Sequence, residues 1–186
     1  ILDSRTQHLN HFFNEAWQVR SDSYTYGHDI EATWLICEAA EVLGDSALVE
    51  HVGGIALRMA EVTLKEGIET DGGLCYEAKA GKIVDRGKEW WPQAEAVIGF
   101  INAFQMSKDA KYLDAARRVW DFIEQRLVDR AHGEWFWRIT PEGQVDDSLP
   151  KVSEWKDPYH AARACLEATK RLQKFQSDWL KAEHLK

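Results

Sequence analysis

Apolar side chains recur at helical spacing through most of the chain. From about His28 to Leu43, Ile30, Trp34, Leu35 and Leu43 share a face with small Ala39 and Ala40, and Gly44-Asp45 ends the pattern. A second helical stretch runs from about Ser46 to Glu66, with Leu48, Val52, Ile55, Met59 and Val62 on one side. Trp91-Pro92 opens a third through Phe104, and Asp109 caps a fourth that reaches about Val128. Asp157 as N-cap and Pro158 at the first helical position open a fifth, to about Gln173. The links carry turn chemistry and short extended pieces: Thr70-Asp71-Gly72-Gly73 before Leu74-Cys75-Tyr76, and His132-Gly133 before Trp135-Phe136-Trp137. The last residues, Lys181 to Lys186, are expected to fray.

The pattern repeats. Glu31-Ala32 aligns with Glu95-Ala96 at a shift of 64, and Asp45 with Asp109 at 64 again. A third unit fits with Arg163-Ala164 on Glu95-Ala96, a shift of 68, with one side chain changing sign. Tetratricopeptide and ankyrin arrays repeat at about 33 to 34 residues, so they are excluded. Helix pairs with long aromatic-bearing links instead predict an all-α toroid, an (α/α)6 barrel of alternating inner and outer helices. Residues 1–186 then form one domain, about half of the ring. The Ala-, Gly99- and Cys-bearing helices are inner, and the Lys/Glu/Arg-rich ones outer. The start at Ile1, followed at once by turn residues, reads as a cut. The open edge of a half-ring is expected to expose apolar surface, favouring self-association or pairing with the missing N-terminal half.

Inner helices of such a ring point their N-termini toward one end, so the polar residues of their first turns converge. Those starts are Tyr26 to Glu31, Trp90 to Glu95 and Trp155 to His160, and they hold His28, His160, Glu31, Glu95 and three of the nine Trp. The positive end of a helix dipole keeps a histidine neutral, while Glu31 one turn after His28 favours imidazolium; such opposing pushes hold a base near working pH. Glu31 and Glu95 are also candidates for the carboxylate pair of a glycosidase, or for local caps. His28 and Glu31 offer two metal ligands at i, i+3, yet there is no second His-x-x-Glu and no HExxH, so no metal is expected. His8, His11, His51, His132 and His184 fall in loops or on polar faces and are assigned no role.

Composition narrows the classes. A formal net charge of -8, from 31 acidic against 23 basic residues, gives no footprint for a polyanion, and nucleic acid is not an expected partner. No apolar run approaches the roughly 20 residues that span a bilayer, so no membrane partner is expected. Cys37, Cys75 and Cys165 include no CxxC pair and fit a reducing, cytoplasmic compartment as small buried hydrophobes. Nine Trp exceed the needs of a core this size, and partly exposed indoles offer flat platforms for the C–H faces of sugars. GxGxxG, GxxxxGK[ST] and GxSxG are absent.

Taken in order, Tyr26-Gly27-His28-Asp29-Ile30-Glu31-Ala32-Thr33-Trp34-Leu35, Glu89-Trp90-Trp91-Pro92-Gln93-Ala94-Glu95-Ala96 and Glu154-Trp155-Lys156-Asp157-Pro158-Tyr159-His160 resemble the N-acylglucosamine 2-epimerase superfamily, above all its cellobiose 2-epimerases. Nearly the whole chain takes part, including Leu9-Asn10-His11-Phe12-Phe13, but it corresponds only to the C-terminal half of the family's barrel. The resemblance implies a cofactor-free epimerase that inverts C2 of a reducing-end glucose unit through a cis-enediolate. It implies His28 and His160 as the acid/base pair, Glu31 tuning His28, Trp91 and Trp155 lining the sugar subsites, and Glu95 contacting hydroxyls. An Arg and a third His belong to the N-terminal half, so the 186 residues alone are expected to be inactive. N-acylglucosamine 2-epimerases and mannose-type aldose-ketose isomerases share the scaffold and stay as alternatives. From other classes, so do a glycoside hydrolase using Glu31 and Glu95 and a noncatalytic helical scaffold.

Overall fold

The computed structural model describes residues 1–183, with side-chain burial through residue 177. Helix α1 (Tyr26–Leu43) ends where Gly44 turns left-handed at φ 75° and its N–H reaches the carbonyls of Ala40 and Glu41. Asp45 then caps α2 (Ser46–Glu66) by accepting from the backbone N–H of Ala47 and Leu48. Asp109 does the same for α4 (Ala110–Phe122) through Lys111 N–H, after α3 (Trp90–Ser107). Tyr26 and Trp90, and Ser46 and Ala110, each stand 64 residues apart, so the sequence repeat is a repeat of helix starts. Helix α4 runs on into a π-helical turn, Ile123–Leu127, closed by Val128 N–H on the Ile123 carbonyl. Helix α5 spans Tyr159–Glu183, well past Gln173; His184 to Lys186 lie outside the described residues.

Helix α3 is the centre of the packing, with α1 and α5 on its flanks and α2 and α4 behind. Every residue from Trp90 to Phe104 is buried, which explains why this helix carries apolar residues on all its faces, with Gln93, Glu95 and Asn102 as buried polar exceptions, whereas α4 has one apolar stripe. Close approach of α1 and α3 depends on Gly99, where a Cβ would stand 2.6 Å from Ile30 Cγ1 and 2.8 Å from the Ile30 carbonyl oxygen. Because one of the obstructing atoms is backbone, Gly99→Ala is expected to push the helices apart and cost about 1–3 kcal/mol, read as a lower urea midpoint.

The fold is mainly helical, as expected, and the links between the helices carry short strand ladders that the expectation did not include. Strands β1 (Ser23–Thr25), β2 (Glu77–Lys79) and β3 (Lys82–Asp85) form an antiparallel sheet in that order, with Tyr24 opposite Ala78. Strands β4 (Lys88–Glu89) and β5 (Arg138–Ile139) pair antiparallel just ahead of α3. These short ladders satisfy the backbone of each link where it enters an inner helix. Leu74 and Trp135, expected in extended pieces, make isolated bridges to Ile68 and Val128 instead. Gln93 ties the first link to α3: its side chain accepts from Leu74 N–H at 2.7 Å and donates to the Leu74 carbonyl at 2.9 Å.

Cys37 and Cys75 are buried as expected, but Cys165 is exposed. It lies on an apolar groove of about 760 Å³ lined by Val97, Ile101, Leu113, Trp120 and Leu172, between α3, α4 and α5. None of the described helices is long and apolar enough to cross a membrane.

Candidate active site

The first turns of α1, α3 and α5 meet around one indole. Trp91 packs against the ring of His28 at 4.8 Å and of His160 at 5.6 Å, centroid to centroid, so both imidazoles border the same indole. Gly27 makes room for that indole, since a Cβ there would fall 2.7 Å from Trp91 Cζ3. Each imidazole is held by its Nδ1: His28 by the Thr25 hydroxyl, His160 by Glu95 Oε1 at 2.7 Å. Among the described residues neither Nε2 has a protein partner, so both rings present the same nitrogen for chemistry. A carboxylate on Nδ1 fixes that proton in place and leaves Nε2 of His160 with its lone pair.

Behind the imidazoles lies a charged network. Arg163 Nη2 donates to Glu31 Oε1 at 2.5 Å and to Glu95 Oε1 at 2.6 Å. The second Glu95 oxygen accepts from Trp34 Nε1–H at 3.0 Å, and Glu95 is fully buried. Glu31, Glu95 and His160 offer three ligand atoms within 4.8 Å of one another. The guanidinium already sits between the two carboxylates, so the cation that this donor set would attract is supplied by the chain itself.

Residues 1–164 match the sequence profile of the N-acylglucosamine 2-epimerase (GlcNAc 2-epimerase) family. The chain belongs to this family. A cellobiose 2-epimerase of Dictyoglomus turgidum is 46% identical over 173 residues, covering 92% of this chain and 44% of that protein. A crystal structure of a sugar epimerase from a ruminal bacterium superposes with a TM-score of 0.87 at 39% identity, over 91% of this chain and 43% of that one. A D-mannose isomerase shares the fold at 21% identity and a TM-score of 0.75, over 90% of this chain and 45% of its own. The chain thus spans less than half the length of these relatives.

Within this family member, the structure brings His28, His160, Trp91, Glu31 and Glu95 together. Glu31 bonds Arg163 rather than His28, and reaches His28 only through its charge. Glu95 cannot meet sugar hydroxyls, because both its oxygens are engaged and none of its surface is open. Trp155 has 80% of its surface exposed. Two site residues escaped the sequence reading. Arg163 was marked by its sign change at the repeat position of Glu31 and Glu95. His11 packs edge-on against His28 at 4.9 Å, and no sequence signal placed that loop there. His8 was also misread: it is buried, with Nδ1 2.7 Å from Asp29 Oδ2, while Leu9 N–H donates to Asp29 Oδ1. These bonds anchor the N-terminal segment that carries His11.

Packing of Trp91 and His11 around one side of His28 disfavours its charged form and lowers its pKa, against the pull of Glu31 and Asp29; His160 adds to the lowering. His11 is lowered too, by burial first and by His28 second. Between these lowered values and the ordinary imidazole value of about 6.5, the unfolded chain binds more protons than the folded one. Stability is therefore expected to be full above that ordinary value and to decline as pH falls through the window. Urea midpoints measured across it are expected to drop less steeply in His11→Asn than in the parent.

Proposed function

We propose that this chain forms about half of an (α/α)6 ring whose whole protein inverts C2 of the reducing-end glucose unit of a β-linked disaccharide such as cellobiose. The observation that carries the reading is the pair of imidazoles that both pack on Trp91, each tethered by Nδ1 and, among the described residues, without a protein partner on Nε2. In the open-chain aldose, Nε2 of one histidine takes the C2 proton, and the electron pair left behind delocalises onto the aldehyde as a cis-enediolate. The other histidine, which enters the step with a proton on its Nε2, gives that proton to the opposite face of C2, and the carbonyl re-forms, so the two rings begin each turnover in opposite states and exchange them. One proton leaves and one arrives, so the step balances without a redox partner. Trp91 is the floor on which the reacting sugar rests, and exposed Trp155 is the platform for the second ring. Three free cysteines accord with a reducing compartment.

The glycosidase alternative needs two carboxylates free to act as acid and base. Glu31 and Glu95 are instead bound to the same guanidinium, which leaves that reading without its machinery.

The test is product analysis in deuterated water, with the intact gene product that carries this chain and cellobiose, mannose or N-acetylglucosamine as substrate. The expected product is the mannose-terminated epimer of cellobiose with one deuteron at C2. A ketose labelled at C1 would assign an isomerase, faster turnover of N-acetylglucosamine would move the substrate, and no conversion of any sugar would overturn the reading.

A further inference from the structure

The repeat places three residues at one equivalent position of the inner helices: Glu31 on α1, Glu95 on α3 and Arg163 on α5. They converge as a carboxylate–guanidinium–carboxylate cluster, and one of its oxygens, Glu95 Oε1, is shared between Arg163 and His160 Nδ1. The guanidinium is held through both its terminal nitrogens, while its Nε, buried, has no partner among the described residues. Its Nη1 donates to the Tyr159 hydroxyl at 2.6 Å, and its Cζ lies over the Tyr159 ring at 4.5 Å and over the Trp34 ring at 4.9 Å. Trp34 thereby serves both charges, with its Nε1–H on Glu95 and its face on Arg163. A planar, delocalised cation suits contact with two aromatic rings, and a compact ammonium does not.

We propose that Arg163 is a positioning residue for His160: the chain's own cation, which balances Glu31 and Glu95 and holds in place the Glu95 carboxylate that aims the His160 ring. The role rests on the epimerase reading for its catalytic consequence and on geometry alone for its electrostatic one. The charged or titratable groups facing this point are Glu31 and His28 from α1, Glu95 from α3, and Tyr159, Arg163 and His160 from α5. Two carboxylates against one guanidinium leave a single negative charge beside the imidazole. Without Arg163 there would be two, one of them fully buried, and the imidazole is the nearest group able to neutralise them by taking a proton. A protonated Nε2 has no lone pair with which to remove the C2 proton.

The experiment compares Arg163→Met and Arg163→Lys with the parent, in the intact gene product, by two independent readouts. The first is the titration midpoint of the His160 ring followed by NMR, assigned through His160→Asn. In Arg163→Met it is expected to rise by at least about one pH unit, while Arg163→Lys stays nearer the parent. The second is the pH profile of cellobiose epimerisation. Its acidic limb is expected to move upward in Arg163→Met, with kcat at pH 7 down about 10- to 100-fold and KM changed far less. Near-UV circular dichroism establishes that each variant is folded; if Arg163→Met is not, Arg163→Gln carries the same expectation. An unmoved His160 midpoint in a folded charge-removing variant overturns the proposal. A moved midpoint in a protein that converts no sugar would leave the positioning of His160 standing and sink the epimerase reading alone.

Discussion

His160→Asn is expected to lower kcat for C2 inversion by about 10²- to 10⁴-fold, the usual contribution of a positioned acid or base. Asparagine keeps the size and can still bond Glu95, but it carries no exchangeable proton pair at the Nε2 position. KM is expected to change little if, as proposed, Trp91 rather than His160 carries the sugar. Loss of one base also breaks the symmetry of the reaction. The remaining His28 is expected to exchange the C2 proton of one epimer with solvent deuterium without inverting it, and His28→Asn is expected to show the same behaviour with the opposite epimer. Deuterium incorporation at C2, followed from glucose-type and mannose-type substrates separately, reads this directly. Inversion by His160→Asn within a few-fold of the parent would end the two-histidine mechanism.

The largest loss of stability is expected at Glu95. Its carboxylate lies fully inside the protein and accepts from Trp34, His160 and Arg163 together. Glu95→Ala leaves an indole N–H, an imidazole N–H and part of a guanidinium facing a void, and removing one partner of a buried ion pair costs about 3–5 kcal/mol. Glu95→Gln keeps the volume but turns an amide NH₂ toward groups that are themselves donors, so an intermediate loss of about 1–3 kcal/mol is expected. Urea denaturation followed by Trp fluorescence measures both. Equal, small effects of the two substitutions would show that the network contributes little to the fold.

The helices and their order were legible because their signals are local. Asp45 and Asp109 cap the helices that follow them, Gly44 closes the first, and the 64-residue repeat marks equivalent starts on which His28 and the Trp91 to Glu95 run fall. The strands were not legible, because ladders of two to four residues have no periodicity to detect and, although β2 and β3 form a local hairpin, β1 and β4 are completed by partners about 50 residues along the chain. The placement of His11 was hidden for the same reason. Its loop is held by a bond between His8 and Asp29, 21 residues apart and joined by no motif. Arg163 was visible as an anomaly in the repeat, though not as a partner.

Sequence alone determined which residues would gather at one end of the inner helices, since hydrophobic periodicity, caps and a repeat dictate where each helix begins and which turn leads it. Only the tertiary structure decided what those residues do to one another. It turned Glu95 inward to aim His160, set Arg163 between two carboxylates, brought His11 against His28 and left Trp155 and Cys165 in the open. Burial and charge compensation depend on the groups supplied by neighbouring helices, and no single stretch of chain encodes its neighbours.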